Sequence, residues 1–124
     1  MIRLEIKGEP IPAARPRISG RGMYQGARNR SYREEIQMAG RLAMKAAAPL
    51  TGALSAVVKL YRSYAPTSRR FGDVDNHLKA IFDGLNGIVF VDDAQIVKCV
   101  VTKQQDGKNP RAEIFISEAE QKSW

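Results

Sequence analysis

The chain has 124 residues, a formal net charge of +7 and 44% hydrophobic residues. That length suits one domain with a modest core. The hydrophobic share is too high for a disordered chain, and no run of about 18 apolar residues offers a membrane span. A single cysteine, Cys99, excludes an internal disulfide, and one cysteine with one histidine cannot build a zinc finger. The expectation is a reduced, cytoplasmic protein with no organic cofactor.

The opening "MIRLEIKGEP" alternates Ile2, Leu4 and Ile6 with Arg3, Glu5 and Lys7, which predicts a strand and not a secretory leader. Residues 10–33 follow as a basic arm. They carry Arg15, Arg17, Arg21, Arg28, Arg30 and Arg33, no acidic residue, and the glycines Gly20, Gly22 and Gly26. A solvated face would mix its charges. An arginine-only segment with glycines suits a flexible arm that holds phosphates, against the plainer reading of a solubilising loop. Tyr24 and Tyr32, in or beside it, suit base stacking or core packing. A helix is predicted over 31–47, opened by a Ser31/Glu34 capping box, striped by Tyr32, Ile36, Ala39, Ala43 and Ala46, and stopped by Pro49 and Gly52.

Residues 53–63 alternate again and predict a second strand, which feeds the polar loop "SYAPTSRRFG" with Arg69 and Arg70. A second helix opens at Asp75 or Asn76, shows the apolar stripe Leu78, Ile81, Phe82 and Leu85, and ends through a left-handed cap at Asn86 and Gly87. The short run "IVFV" leads to Asp92 and Asp93. Strands are predicted over 95–103, with Cys99 as a core thiol, and over 111–117, joined by a "DGKNP" hairpin turn; residues 118–124 are a frayed or helical tail. The sum is a single α+β domain, residues 1–124, with a mixed four- to five-stranded sheet and two main helices packed on it. So few strands leave a face or edge in need of cover, and a homodimer would supply it.

Within the acidic core, residues 69–103, Asp73 and Asp75 stand two apart. In an extended segment such residues point the same way, so two carboxylates would share one surface. Two like charges that close are tolerable with a cation between them, and oxygen ligands suit Mg²⁺ or Mn²⁺. Asp92 and Asp93 form a second acidic pair that would meet the first if the intervening helix packs back on the sheet. Lys79, one helical turn after Asp75, would place an ammonium beside the carboxylates. Plainer readings stand beside these: Asp75 as a helix N-cap, Asp83 as a partner for Lys79, Asp92 and Asp93 as a turn. His77, the only histidine, lacks a partner that would make it a general base and is read as a packing residue.

The stretch "GDVDNHLKAIFDGLNGIVFVDDAQIVKCVV" resembles the hallmark segment of the RusA family of Holliday-junction resolvases, small endodeoxyribonucleases often encoded by phages. The likeness extends more weakly to the first strand, to "PAARPR" and to "RAEIFISE". It implies that Asp73, Asp75 and Asp93 are catalytic metal ligands, that Lys79 is the catalytic lysine, and that Mg²⁺ or Mn²⁺ is the cofactor. It also implies a homodimer that makes paired nicks across four-way DNA junctions in recombination and repair. A bound divalent ion would activate water and stabilise the leaving oxygen, while Arg15, Arg17, Arg21, Arg28, Arg30, Arg69 and Arg70 would hold phosphates. His77 stands where an apolar residue is common in the family. Two other classes remain open: a branched-DNA or flap nuclease without junction selectivity, and a non-catalytic nucleic-acid binder.

Overall fold

The computed structural model describes residues 1–13, 18–19, 22–23 and 27–119, with backbone alone at 18–19 and 22–23. Strand β1 is Ile2–Lys7, and a two-residue ribbon joins β2, Ile18–Ser19, to β3, Gly22–Met23. Helix α1, Ala27–Met44, precedes β4, Leu54–Arg62; helix α2, Val74–Leu85, precedes a 3₁₀ turn, Asp93–Gln95, then β5, Ile96–Gln105, and β6, Arg111–Glu118.

The main sheet has four strands in the order β1-β6-β4-β5. β6 runs antiparallel to both neighbours, and β4 and β5 are parallel, so the sheet is mixed as expected. The chain between β5 and β6 is not a hairpin, because β4 lies between those strands. "DGKNP" instead carries the chain past the end of β4, where the Asp106 N–H donates to the Arg62 carbonyl at 2.7 Å.

Alternation in β4 buries Leu54, Ala56, Val58 and Leu60 completely on one face. The paired residues Ala112, Ile114 and Ile116 of β6, and Leu4 and Ile6 of β1, join them there. Both helices cover this face: Tyr32, Ile36 and Met44 of α1 and Ile81, Phe82 and Leu85 of α2 belong to the same apolar cluster. The opposite face carries Arg3, Glu5, Lys59, Arg111 and Glu113, and both described helices lie on the other side of the sheet.

Three sequence expectations move. Helix α1 starts at Ala27, so Ser31 and Glu34 are exposed inside it and form no capping box at its start, while Arg28 and Arg30 belong to its first turns and not to a flexible arm. Alanine and arginine are good helix formers, and burial of Tyr32, Ile36, Gly40 and Met44 at every fourth position gives the first turns something to extend. The helix ends at Met44 because Lys45 and Ala46 take positive φ values of 50° and 65°, which leaves Ala46 exposed and off the apolar stripe. α2 begins one or two residues early, with Asp73 as its extended N-cap, and Gly87 takes the expected left-handed conformation at φ 80°.

Candidate active site

The segment that delivers Asp73 is built from buried parts. Phe71 is fully buried, and Gly72 turns the chain at φ 94°, a region that favours glycine. A Cβ on Gly72 would also meet His77 Nε2 at 2.9 Å and Pro12 Cγ at 3.0 Å. Asp73 then caps α2 with its backbone: the His77 N–H donates to the Asp73 carbonyl at 3.1 Å.

Three basic side chains hold this turn. Arg62 Nη1 donates to the Phe71 carbonyl at 2.7 Å, and His77 Nε2 lies 2.6 Å from the same oxygen. A carbonyl only accepts, so Nε2 carries the imidazole proton. Lys103 Nζ donates to the Gly72 carbonyl at 3.0 Å and sits 4.9 Å from the centre of the Phe71 ring. Burial pushes the His77 imidazole below its ordinary range, and the nearby Arg62 and Lys103 charges add to that push. His77 is thus a neutral packing residue, as expected, with an added role in shaping the turn.

Arg62 is itself anchored by Glu9, whose Oε2 accepts from Arg62 Nε at 3.0 Å. Glu9 Oε1 accepts from the Ser63 N–H at 3.0 Å and from the Ser63 hydroxyl. Burial works to raise the Glu9 carboxyl, but the hydrogen bonds from Ser63 and Arg62 outweigh it and hold the group below its ordinary range. Glu9, Arg62 and Lys103 were not singled out in the sequence. A glutamate after a strand and basic residues inside alternating strands carry no local mark; only the three-dimensional pairing reveals them.

Asp73 and Asp75 are both exposed, at the N-terminal end of α2, where the helix dipole favours negative charge. They are not neighbours along one extended segment, because Asp75 is already helical and accepts from the Asn76 N–H at 3.1 Å. Lys79 is exposed one turn further on and lines a cleft between α1 and α2 with Asn29, Tyr32, Arg33 and Asp83. No ion pair among the described residues joins Lys79 to Asp83. Tyr32 is only 3% exposed, so it packs and does not offer its ring to a base. Arg28, Arg30, Arg33, Arg69 and Arg70 are exposed. Arg15, Arg17, Arg21 and Tyr24 lie outside the described residues, as does the end of the tail at 120–124. The root of the arm is nevertheless tied to the site: the Ala13 N–H donates to the Asn76 carbonyl at 3.0 Å.

The second acidic pair divides its labour. Asp92 makes the turn, its Oδ2 accepting from the Ala94 N–H at 3.0 Å while Gln95 Oε1 accepts from the Asp92 N–H at 2.9 Å. Gln95 Nε2 also donates to the Leu50 and Gly52 carbonyls, tying the start of β5 to the turn before β4. Asp93 is half-buried in this turn. Within one chain the two acidic clusters do not meet, and no group of three or more His, Cys, Asp or Glu among the described residues is gathered for a metal ion. The cause is topological. α2 crosses over between two parallel strands, so its start lies beside the ends of β4 and β5, marked by Arg62 and Lys103, whereas Asp93 lies at their beginnings, marked by the Leu54–Ile96 pairing.

Fold and site together describe a one-domain α+β protein with two aspartates at a helix start among exposed arginines. The model of the endodeoxyribonuclease RusA family matches residues 7–117, and the chain belongs to that family. It is also 28% identical over 140 aligned positions to the uncharacterized protein YqaN of Bacillus subtilis (strain 168), which covers 94% of this chain and 96% of the relative. Family membership implies a nuclease of the Holliday-junction resolvase class, acting on branched DNA, in a family generally dependent on divalent metal. Among the described residues no helix is long and apolar enough to cross a membrane.

Proposed function

We propose that this protein is a structure-selective endodeoxyribonuclease that resolves four-way DNA junctions by paired nicks, as a homodimer dependent on Mg²⁺ or Mn²⁺. The observation that carries this reading is the Phe71–Gly72 turn: Arg62, His77 and Lys103 all act on its two carbonyls, and its one product is a fixed position for Asp73 at the start of α2. A turn that only capped a helix would not need a charged side chain buried to 6% exposure beneath it.

Carboxylate oxygens are the hard donors that Mg²⁺ and Mn²⁺ take, so Asp73 and Asp75 fit such an ion in kind. In number they fall short, because Asp93, the third ligand that the family likeness implies, is at the other end of β5 in the same chain. When bound, a divalent ion would supply electrostatic stabilisation of charge on the scissile phosphate. The chain's own residues do the rest. Lys79 would hold a positive charge one helical turn from Asp75, beside the reacting phosphate. Arg28, Arg30, Arg69 and Arg70, with the arm arginines Arg15, Arg17 and Arg21, would bind the DNA backbone and orient it. His77 would not serve as the base: it is 1% exposed, and burial disfavours its charged form.

The test is a nicking assay with Mg²⁺ or EDTA on a four-way junction, a flap, a duplex and a single strand. Asp73→Asn and Asp75→Asn should abolish cleavage and leave junction binding in Ca²⁺ intact, since each removes a ligand while making the site less negative. Joint loss of binding and cleavage would assign these aspartates a structural role. Equal cleavage of flap and junction would reduce the reading to a general branched-DNA nuclease.

A further inference from the structure

We propose that the cleft between the end of β1 and the first turns of α1 takes one unpaired nucleotide, with its phosphate at Lys7 and Arg28 and its base at Tyr32 and Glu35. This rests on the reading of the protein as a nuclease of branched DNA, and adds a site that recognises the branch.

The cleft encloses about 390 Å³, with Lys7 and Glu9 on one side and Arg28, Ser31, Tyr32 and Glu35 of α1 on the other. Sites for small molecules run from about 300 to 1,000 Å³. Ile11 and Ala27 supply apolar wall. The feature that points to a ligand is Tyr32. Its ring packs, at 3% exposure, but its hydroxyl is buried with no hydrogen-bond partner among the described residues. Folded proteins pair nearly all such groups, and phenylalanine would fill the same space without the penalty. Burial and the Glu35 carboxylate push the phenol well above its ordinary range, so it keeps its proton and can donate it in a hydrogen bond. Glu35 lines this cleft and not the neighbouring one beside Lys79, which sets the hydroxyl on this side of α1. Arg28, Ser31 and Glu35 are exposed and hold no hydrogen bond or ion pair among the described residues, so they are free to swing and admit a ligand to the hydroxyl.

The charges choose the ligand. The first turn of α1 holds no acidic residue, and its N–H groups with Arg28 favour a phosphate. Lys7 adds a second cation, and Glu9 is already paired with Arg62. Glu35, about two turns further along α1, would repel a bare anion. A nucleotide reconciles the two ends. Every base carries an N–H donor next to an acceptor on its pairing edge; Glu35 accepts from the first and Tyr32 donates to the second. In a duplex the opposite strand occupies that edge, so the cleft selects a nucleotide that is out of its pair, and such nucleotides are least costly to draw out where pairing is already broken. The cleft also adjoins the cleavage centre. Arg62 donates to Glu9 in the cleft wall and to the carbonyl of Phe71, two residues before Asp73.

The test uses the full chain in EDTA, where no metal-dependent step contributes. dAMP, deoxyribose 5-phosphate and inorganic phosphate are titrated in turn while backbone amides are followed by NMR. dAMP should shift the amides of Gly8, Arg28, Ser31 and Glu35 saturably, and the two base-free probes should bind several-fold more weakly. Tyr32→Phe keeps the ring. It should leave the thermal midpoint unchanged or raised, weaken dAMP roughly three- to tenfold, and leave deoxyribose 5-phosphate alone. Glu35→Ala, at an exposed helical position, should weaken dAMP in the same way. A lower midpoint with unchanged dAMP affinity in Tyr32→Phe would make the hydroxyl structural and overturn the proposal. Equal affinity for dAMP and inorganic phosphate would leave an anion site only and overturn base recognition. Absence of shifts in these amides, or shifts confined to the start of α2, overturns it outright. Saturable dAMP binding here without junction cleavage in Mg²⁺ supports this site and sinks the resolvase reading. Junction cleavage without a dAMP site does the reverse.

Discussion

Arg62 ends β4 facing the core, where an unpaired guanidinium would be costly. It is tolerable because Glu9 and the Phe71 carbonyl accept from it and the Tyr64 ring lies 5.0 Å from its Cζ. The arrangement ties the exit of β1 to the turn that carries Asp73, and it has a pH signature. Glu9 is held below its ordinary value of 4.5 in the folded chain, so its contribution to stability is present above about pH 4.5 and is lost as the pH falls through the lower folded value. Glu9→Gln should therefore lower stability at neutral pH and flatten the acid limb of stability against pH, read by denaturant unfolding at a series of pH values. An acid limb as steep as that of the wild type would show that other carboxylates set it. Neither Arg62 nor Glu9 was legible in the sequence, because their pairing spans 53 positions and leaves no periodic trace.

Among the elements, the crossing of α1 and α2 depends on a glycine. Gly84 sits near the end of α2, where its helix propensity is about 1 kcal/mol poorer than alanine. Its place is explained by contact: an added Cβ would fall 2.6 Å from Ile36 Cγ2, inside the distance any real pair tolerates. Gly84→Val should push the helices apart and cost about 1–3 kcal/mol, visible as a lower thermal midpoint with the far-ultraviolet spectrum retained. An unchanged midpoint would mean that Ile36 re-packs freely. The apolar stripe of α2 could be read from spacing; that of α1 could be read only in its first half, at Tyr32 and Ile36, since Gly40 and Met44 are buried further on and Ala46 is not. The start of α1 could not, because the Ser31/Glu34 pattern is a plausible cap that a longer helix simply runs through. The hairpin failed for a similar reason: a turn sequence reports a change of direction, not which strand lies beside which.

Over the whole molecule, positive charge is unevenly spread: residues 10–33 carry six arginines and no acidic residue, three of the six within α1. The root of the segment before α1 is fixed beside α2 through the Ala13–Asn76 hydrogen bond. If Arg15, Arg17 and Arg21 each meet a phosphate, replacing all three with alanine should flatten the slope of log affinity against log salt by about two to three units. The measurement is junction binding in Ca²⁺ across a salt series. Cleavage at saturating protein should fall much less, since the aspartates are untouched. A slope equal to the wild type would assign these arginines to some other contact and leave the carboxylate site standing.

The sequence by itself determined the main strands and helices, most of their buried faces and the chemical inventory of the candidate site. Alternation and helical spacing are local consequences of backbone geometry, and two aspartates, a lysine and an arginine-rich arm are a chemical inventory that needs no fold to be read. The tertiary structure alone decided how these parts meet. It slotted β6 between β1 and β4, placed β4 between β5 and β6, and buried Arg62 and His77 under the Asp73 turn. It also sent Asp93 to the opposite end of β5 from Asp73. The physical reason is that a parallel crossover must return the chain to the starting edge of the sheet before the next strand begins, so residues twenty apart in sequence can stand a full strand length apart in space.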